Sequence, residues 1–409
     1  MSYKTAPNTN VYLTPENPDG SLPQDPQLQP LRWVSSSLEG SYETIENDTK
    51  LPGRNPSENF RGTDSNAGDL VVNFAPLEHD QLLEAVLCSE DGFAKNPGLS
   101  DTEYSVYEAV PGNKQRTFAL LKEYTQEPKL YQLFTGLQFN TLGISFTIGA
   151  LVKLTFGLMG KNNPKLEDTP PFGMGNKSAS FGTKEFITLS GSWKFKGPND
   201  PVPVEYIDGV DITIDFNNNM NNLLGLFQEE AIDKSLGMLH ITGTINEYVK
   251  DGKLYNLAKQ GEGGELHITV YSEKDDAEYE FILKVSFDNS TLSGDDQLQY
   301  ALPFSTYGED RFILRKKVKT GTALIPVTSV YLNKNTLSLT EGDSEQLVAT
   351  VQPADATNKT VTWESDNDTI AAVDQSGTVL AVSEGVATIT VKTADGGYQD
   401  TCAVTVMEA

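Results

Sequence analysis

Three histidines, two cysteines and one close acidic pair are the residues whose types could support catalysis or metal binding. His79, His240 and His267 fall in different predicted elements without the spacing of metal ligands, so we assign them structural roles. The sequence contains no nucleophile elbow, phosphate-binding loop or His/Cys cluster. It therefore predicts a protein that is not an enzyme and that uses no cofactor or metal ion.

The cysteines and the acidic pair are also interpreted as structural. Cys88 and Cys402 fall in different predicted domains, so we expect two separate buried thiols rather than a disulfide. Asp366 and Asp368 lack the glycine-bearing loop of a calcium site, which indicates an ordinary turn.

The chain is strongly acidic, with 57 Asp and Glu against 31 Lys and Arg, and its formal net charge is −26. Residues 323–409 contain 12 acids and 3 lysines, or −9, which leaves 45 acids and 28 bases, or −17, for the remainder. DNA affinity comes from Lys and Arg that replace counterions, so this balance excludes tight general binding of DNA phosphates. Residues 1–10 lack a signal-peptide pattern and no run of 18 apolar residues occurs, so we expect synthesis in a cytoplasm and no membrane insertion.

The elements that position these residues are mostly strands. Residues 1–30 are rich in Pro, Asn, Asp and Gln and predict an extended arm, disordered in the free subunit and without a core of its own. A strand at 33–39 is followed by a polar loop from Asn47 to Asn66 and a strand at 69–74. Residues 78–87 place Leu and Val on one face and predict a short helix.

The clearest alternation covers residues 142–158. Small and polar residues occupy one parity, and the apolar parity consists of Leu142, Ile144, Phe146, Ile148, Val152, Leu154, Phe156 and Leu158. This pattern predicts a long hairpin that turns near Gly149 and buries one face.

The second half of the body follows a similar order. Alternating strands at 211–216 and 239–245 precede a short helix near 254–259 and four further strands, at 266–270, 281–287, 298–304 and 311–317. We interpret residues 31–160 and 185–318 as a tandem duplication joined by a linker at 161–184. A second linker at 319–326 leads into a last domain at 327–409.

The last domain carries a specific pattern. It consists of Val361-Thr-Trp363-Glu-Ser365, Ile370-Ala-Ala-Val373, Gly385-Val-Ala387-Thr-Ile389-Thr-Val391 and Cys402-Ala-Val404-Thr-Val406. The domain resembles the group 2 bacterial immunoglobulin-like domains. The resemblance implies a β-sandwich, in which we expect Trp363 to anchor the core between two sheets.

The body resembles the tail tube proteins of bacteriophages with long, non-contractile tails. The residues that carry the resemblance are Phe134-Thr-Gly136-Leu-Gln-Phe139, Phe156-Gly-Leu-Met-Gly160, Ile241-Thr-Gly243-Thr-Ile245 and Leu302-Pro-Phe304. The predicted fold class is accordingly mainly β: tandem tail-tube β-sandwich or barrel domains with short flanking helices, plus the immunoglobulin-like sandwich.

This resemblance implies a structural virion protein made in the host bacterial cytoplasm. Its copies would form rings that stack into a DNA-conducting tube, and a duplicated chain favours three subunits per ring over six. The implied partners are other copies, the tape measure and tail terminator proteins, passing double-stranded DNA, and host surfaces touched weakly by the last domain. A bacterial surface adhesin or carbohydrate-binding protein is the alternative, because group 2 immunoglobulin-like domains also occur in adhesins.

Two groups of charged residues are candidates for roles in such a tube. Asp211, Thr213 and Asp215 share one strand face and are expected to line the lumen, the alternative being an ordinary solvated face. Basic residues cluster near the end of the body and are expected to meet acidic neighbours across a ring interface, with a solvated strand as the alternative. This basic cluster consists of Arg311, Arg315, Lys316 and Lys317, followed by Lys319.

Overall fold

A computed structural model describes most of the chain and is dominated by β-strands. The described residues are 8–17, 20–23, 26–47, 58–172, 183–198, 200, 203–206, 209–223, 233–249, 252–293, 297–308, 311–319, 327, 329–352, 356, 359–393 and 398–408. Among them, no helix is long and apolar enough to cross a membrane. The predicted mainly β fold class is confirmed.

The first half of the body contains strands β1–β10 and one helix. The elements are β1 (Thr9–Pro15), β2 (Gln29–Leu31), β3 (Ser35–Ser36), β4 (Glu39–Ile45), β5 (Phe60–Asn73), α1 (Asp80–Val86), β6 (Ala94–Lys95), β7 (Tyr104–Ala109), β8 (Phe118–Tyr124), β9 (Leu130–Thr147) and β10 (Lys153–Gly160).

The second half contains a short 3-10 helix (Thr188–Ser190), strands β11–β21 and the helix α2. The elements are β11 (Gly191–Lys196), β12 (Val204–Tyr206), β13 (Gly209–Asn217), β14 (Asn221–Leu223), β15 (Asp233–Ser235), β16 (His240–Tyr248), α2 (Lys253–Lys259), β17 (Gly263–Ser272), β18 (Ala277–Phe287), β19 (Thr291–Ser293), β20 (Gln299–Thr306) and β21 (Phe312–Lys319).

The last domain contains strands β22–β30. They are β22 (Ser329–Leu332), β23 (Thr336–Thr340), β24 (Ser344–Gln346), β25 (Ala349–Gln352), β26 (Val361–Ser365), β27 (Ala371–Val373), β28 (Thr378–Ala381), β29 (Gly385–Thr393) and β30 (Gln399–Met407).

The predicted hairpin is formed by β9 and β10, with Gly149 in the left-handed conformation (φ 69°) at the turn. Seven of the eight apolar residues of the pattern are buried, as the alternation requires. Ile148 is the exception, because it lies in the turn beyond the last strand pair and is 65% exposed. The prediction of a buried Ile148 is therefore wrong.

The two halves of the body share one sheet and one hydrophobic core. Strand β13 pairs with β9 along seven residues, and β21 pairs with β7, so each half completes its sheet with strands of the other. Six strands lie side by side in the order β5–β10–β9–β13–β16–β20, and their apolar side packs on a second layer that contains β18 and β21. No pairing among the described strands closes this sheet into a barrel within one chain.

The described part of the N-terminal arm belongs to the body. Strand β1 pairs with β8 over its whole length and with β2, and it buries Val11, Tyr12 and Leu13. The expectation of disorder in the free subunit is wrong for these residues. The polar composition of residues 1–30 concealed an apolar Val-Tyr-Leu segment that fits the edge of β8. Residues 1–7 lie outside the described part.

The predicted loop at 47–66 is also shorter than expected, because β5 begins at Phe60 and pairs with β4. Together these strands form a hairpin whose outer part extends past the end of β10, where Asn66 pairs with Gly160. Residues 48–57 lie outside the described part.

The last domain has its own core. Strands β23–β30–β29–β26 form one sheet, β24–β28–β27 form another, and β22 pairs with β25. Trp363 lies in this core and is 7% exposed, packed close to Gly377, which has a φ of 86°. A Cβ at position 377 would stand 2.7 Å from the indole, so glycine is required by both the conformation and the space.

Candidate functional site

The six-strand sheet of the body presents one polar side. On its four central strands, the alternating residues that point away from the core are mostly threonine, serine, glycine and asparagine. This polar sheet face consists of Thr141, Gly143, Ser145 and Thr147 on β9, Lys153, Thr155 and Gly157 on β10, Asp211, Thr213 and Asp215 on β13, and Thr242, Thr244 and Asn246 on β16. Because β9 belongs to the first half and β13 to the second, the face continues across both halves.

The predicted lumen residues lie together on this face. Ile212, Ile214 and Phe216 point into the core and are buried, so the pleat of β13 turns Asp211, Thr213 and Asp215 outward. Register places Asp215 between Gly143 and Thr242, and Asp211 between Thr147 and Asn246.

Both carboxylates of β13 have a defined environment. The side-chain amide of Asn246 donates a hydrogen bond of 2.9 Å to Asp211 Oδ2. Partial burial against the neighbouring strands raises the pKa of Asp215 above its ordinary value. Asp211 and Asp215 give the face two negative charges, and Lys153 lies exposed at the same end of the sheet as Asp211.

The predicted basic cluster is split by the alternation of β21. Lys316 has the parity of Phe312, Leu314 and Val318, and it is fully buried. Its ammonium lies 2.8 Å from Asp80 Oδ2 and over the rings of Phe93 and Tyr107. The prediction that Lys316 faces a neighbouring subunit is therefore wrong, since its charge is neutralised inside the chain.

Asp80 is held from a second side. The Tyr279 hydroxyl donates a hydrogen bond of 2.6 Å to Asp80 Oδ1, in the first turn of α1. A buried charge costs little only when it is paired and hydrogen-bonded, and this carboxylate has both kinds of partner.

The remaining basic residues also make contacts within the chain. Arg315 bridges Glu108 and Glu280 across three neighbouring strands, with nitrogen–oxygen distances of 2.8 and 2.7 Å. Lys317 lies over the ring of Tyr104. Arg311 donates from its guanidinium to the carbonyl of Leu239. Their role at a ring interface stays a prediction.

The histidines and cysteines lie in separate parts of the fold. His79 is fully buried at the start of α1, and burial lowers its pKa to about 4. His267 contacts Glu280 at 2.8 Å, and His240 is exposed at the end of β16. Cys88 and Cys402 are free, buried in different domains, and burial raises the pKa of each thiol to about 11. Within the described ranges, no group of three His, Cys, Asp or Glu could hold a metal ion.

Sequence reasoning missed the exposed apolar side chains at the two ends of the sheet. One group lies on the hairpin of β4 and β5, and the other surrounds the turn after β9. The exposed members are Tyr42, Ile45 and Phe60 in the first group and Ile148, Leu151, Ile187 and Leu189 in the second. A usable signal was present in β4, where Tyr42 and Ile45 interrupt an otherwise polar segment.

The fold defines the chain as a two-module β protein, with a large open-sheet body and a separate immunoglobulin-like sandwich. A family model described as "Phage tail tube protein" matches residues 2–306, and one described as "Bacterial Ig-like domain (group 2)" matches residues 326–404. Since the first match covers three quarters of the sequence, the chain belongs to the phage tail tube protein family. It is a structural virion protein, as the resemblance implied.

Curated relatives match over short stretches. The chain is 45% identical over 85 residues to an Ig-like virion protein of Serratia phage KSP90. The matched stretch covers 20% of this chain and 33% of the relative. The chain is 42% identical over 77 residues to a minor capsid protein of Enterobacteria phage T3, covering 19% and 17%. An alpha-L-arabinofuranosidase of Bifidobacterium longum is 43% identical over 95 residues, covering 22% and 9%.

The chain spans much less than two thirds of the first relatives, with shares of 28%, 9% and 33%. The matched lengths are comparable to that of the immunoglobulin-like domain, which is an accessory module in proteins of different activity. The enzymatic name of one relative therefore describes that relative and is not carried over to this chain.

Proposed function

We propose that this chain is the major tail tube subunit, which polymerises into stacked rings around a DNA-conducting channel. The observation that carries the proposal is the polar sheet face, which runs without interruption from β10 through β9 and β13 to β16. A channel for DNA needs a wall that is wetted by water and does not hold phosphates. Threonine, serine and glycine with a few carboxylates provide such a wall.

The electrostatics of the face support this role. Asp211 and Asp215 repel phosphates over about 8 Å at physiological ionic strength, which keeps the duplex near the channel axis. Lysines in large number would instead release counterions from the DNA and bind it. Asp211, Thr213 and Asp215 are accordingly proposed to line the lumen.

The open sheet supports assembly by lateral closure. Among the described strands, β4 pairs only with β5, so the border of the sheet at β4 is free for pairing. The border at β20 is covered in part, because β20 also pairs with β19 and with the end of β18. Exposed edges promote unwanted aggregation unless they are covered, and closure around a ring covers them. Each chain supplies two related halves to the wall, so three chains complete a ring that a single-domain subunit would build with six.

The other parts of the chain have separate proposed roles. Arg315 and Lys317 face outward from β21 and, with Arg311 just before this strand, are proposed to support ring contacts. The immunoglobulin-like domain, with its charge of −9, is proposed to project from the tube and touch host surfaces weakly in many copies. The tape measure and tail terminator proteins are the proposed partners inside and at the end of the tube. The protein is proposed to be made in the host cytoplasm and to function in the virion tail.

Electron cryomicroscopy of the purified protein tests the proposal. We expect hollow tubes with threefold rings, a lumen lined by β9, β10, β13 and β16, and outward-projecting domains. Six chains per ring would overturn the stoichiometry and leave the tube intact. A protein that stays monomeric at every concentration and ionic strength would overturn the assignment.

A further inference from the structure

A buried lysine of the body touches a buried carboxylate, and this pair has a possible chemistry beyond its charge. Lys316 is 0% exposed and Asp80 is 4% exposed. The side-chain nitrogen of Lys316 lies 2.8 Å from Asp80 Oδ2. A primary amine and a carboxyl group held in contact are the two reactants of an amide bond, which would join β21 to α1 covalently.

Two further buried lysines of the body do not meet this condition. The side chain of Lys122 donates to the carbonyl of Leu38, and that of Lys234 donates to the carbonyl of Gly136. A main-chain carbonyl could react with an amine only if the chain were cut. Lys316 differs from both because its partner is a side-chain carboxyl group, which can release an oxygen as water.

The second oxygen of Asp80 is held by a donor that would promote the reaction. The Tyr279 hydroxyl donates to Asp80 Oδ1 at 2.6 Å, and its own oxygen accepts a hydrogen bond of 3.0 Å from the Leu77 amide. A donor fixed in this way stabilises the negative charge that develops on a carboxyl oxygen when its carbon is attacked. Tyr279 is therefore placed to polarise the carbon that Lys316 faces.

The surroundings of the pair exclude water. The Lys316 nitrogen lies 4.4 Å from the ring centre of Phe93 and 5.0 Å from that of Tyr107, and Tyr279 is fully buried. Two buried charges carry a desolvation cost that a neutral amide does not. Once the released water molecule has left such a site, hydrolysis of the amide lacks its second reactant.

We propose that Lys316 and Asp80 condense to an intramolecular isopeptide bond. One proton passes from Nζ to Oδ2, and the free amine attacks Cγ while the Tyr279 hydroxyl stabilises the negative charge on Oδ1. A second proton from Nζ then lets Oδ2 leave as water, and the nitrogen keeps one hydrogen in the amide. The reaction releases one water molecule and needs no other reactant. The ion pair described above is the state of the freshly folded subunit, and condensation is a slower step that follows it.

The bond would protect the strand that carries the outer domain. Strand β21 is the last strand of the body and ends at Lys319, and the immunoglobulin-like domain begins its first strand at Ser329. A force on the outer domain is transmitted to the end of β21 and would separate this strand from β18 and β7 one residue pair at a time. A covalent bond at Lys316, near the end of the strand, stops this separation.

Mass spectrometry of the full chain tests the proposal. We expect the freshly purified wild type to lose the mass of one water molecule during incubation. The control Lys317→Met, at the neighbouring position of β21, should show the same loss, and Lys316→Met should show none. After protease digestion of the incubated wild type, tandem spectra should contain a branched peptide that joins Asp80 to Lys316. Tyr279→Phe keeps the ring and should slow the loss by about tenfold or more.

A pulling experiment detects the bond by its mechanical effect. The bond would seal a segment of 236 residues between its two ends. An extended chain spans about 3.4 Å per residue, so this segment is about 800 Å long when it is stretched. Unfolding the chain between its two termini should therefore give about 800 Å less extension in the incubated wild type than in Lys316→Met.

Two outcomes overturn the proposal. The first is a wild type whose mass stays constant on incubation and whose digest contains no branched peptide. The second is a loss of water that persists in Lys316→Met, which would place the dehydration elsewhere. If circular dichroism shows that Lys316→Met is unfolded, the branched peptide of the wild type decides alone. An unchanged rate in Tyr279→Phe would overturn the role of the hydroxyl. The tube function is judged separately, by ring and tube formation.

Discussion

Replacement of Lys316 by methionine is the sharpest test of how the body is stabilised. Lys316→Met keeps the length of the side chain and removes the ammonium that lies 2.8 Å from Asp80 Oδ2. Asp80 is only 4% exposed, so water cannot take the place of the lost charge. Removing one member of a buried ion pair costs about 3–5 kcal/mol, because the other charge stays desolvated.

The expected shift in melting temperature follows from the size of the body. Unfolding entropy is about 2.1 cal/mol/K per residue, so roughly 310 residues give about 0.65 kcal/mol/K. A loss of 3–5 kcal/mol therefore lowers the Tm of the body by about 5–8 °C. Differential scanning calorimetry of the unassembled subunit should show this shift in the body transition and no shift in the transition of the immunoglobulin-like domain, because the two cores are separate.

Two further variants complete the experiment. Lys317→Ala on the same strand loses the contact with the ring of Tyr104, which is worth about 0.5–1 kcal/mol at an exposed site, and a weak attraction to the exposed Asp101. Adding Asp80→Asn to Lys316→Met removes both charges, keeps an acceptor for the Tyr279 hydroxyl and should restore most of the loss. The reasoning is refuted if Lys316→Met melts like Lys317→Ala, or if the double variant is no more stable than Lys316→Met alone.

Three other predictions concern the domains, the arm and the pH. A chain truncated near Lys319 should still form tubes with a thinner outline in electron micrographs, and a folded but non-polymerising truncation would show that the last domain belongs to the lattice. Deletion of residues 1–30 should abolish tube growth and also lower the Tm of the body, since β1 buries Val11, Tyr12 and Leu13; an unchanged melting curve would contradict the packing of β1. Burial lowers the pKa of His79 in the folded chain to about 4, whereas the same group in the unfolded chain binds a proton near pH 6.5. The free energy of unfolding should therefore fall as the pH decreases from about 6.5 to 4. In His79→Asn this part of the pH dependence, of order 3 kcal/mol, should disappear from denaturant titrations, and an unchanged slope would refute the assignment.

Much of the site was predictable from the pleat of the strands. The alternation in β13 is enough to place Asp211, Thr213 and Asp215 on one face, because successive side chains of a strand point to opposite sides. The same rule indicates that Lys316 is buried, because it shares its parity with Phe312 and Leu314. The basic composition of the segment suggested a surface cluster instead.

The errors came from contacts between distant parts of the chain. The burial of Lys316 depends on Asp80, which is 236 residues away, and on the hydroxyl of Tyr279. Strand β1 is ordered because it pairs with the edge of β8, which lies more than 100 residues further along the chain. Composition indicates which structure a segment adopts in isolation. Partners from distant parts of the chain override that preference, because they supply an opposite charge or an open strand edge.

By itself, the sequence determined the mainly β class, the alternating faces, the helices near residues 80 and 254, and the immunoglobulin-like domain, because each depends on spacing between near neighbours. Only the tertiary structure decided that β9 pairs with β13, so that two halves form one sheet with one polar face. It also decided that Phe146 is buried while Ile148, two residues later on the same parity, is exposed in the turn after β9. Strand pairing and burial at strand ends are set by long-range contacts, and a local pattern carries no information about where the covering layer ends.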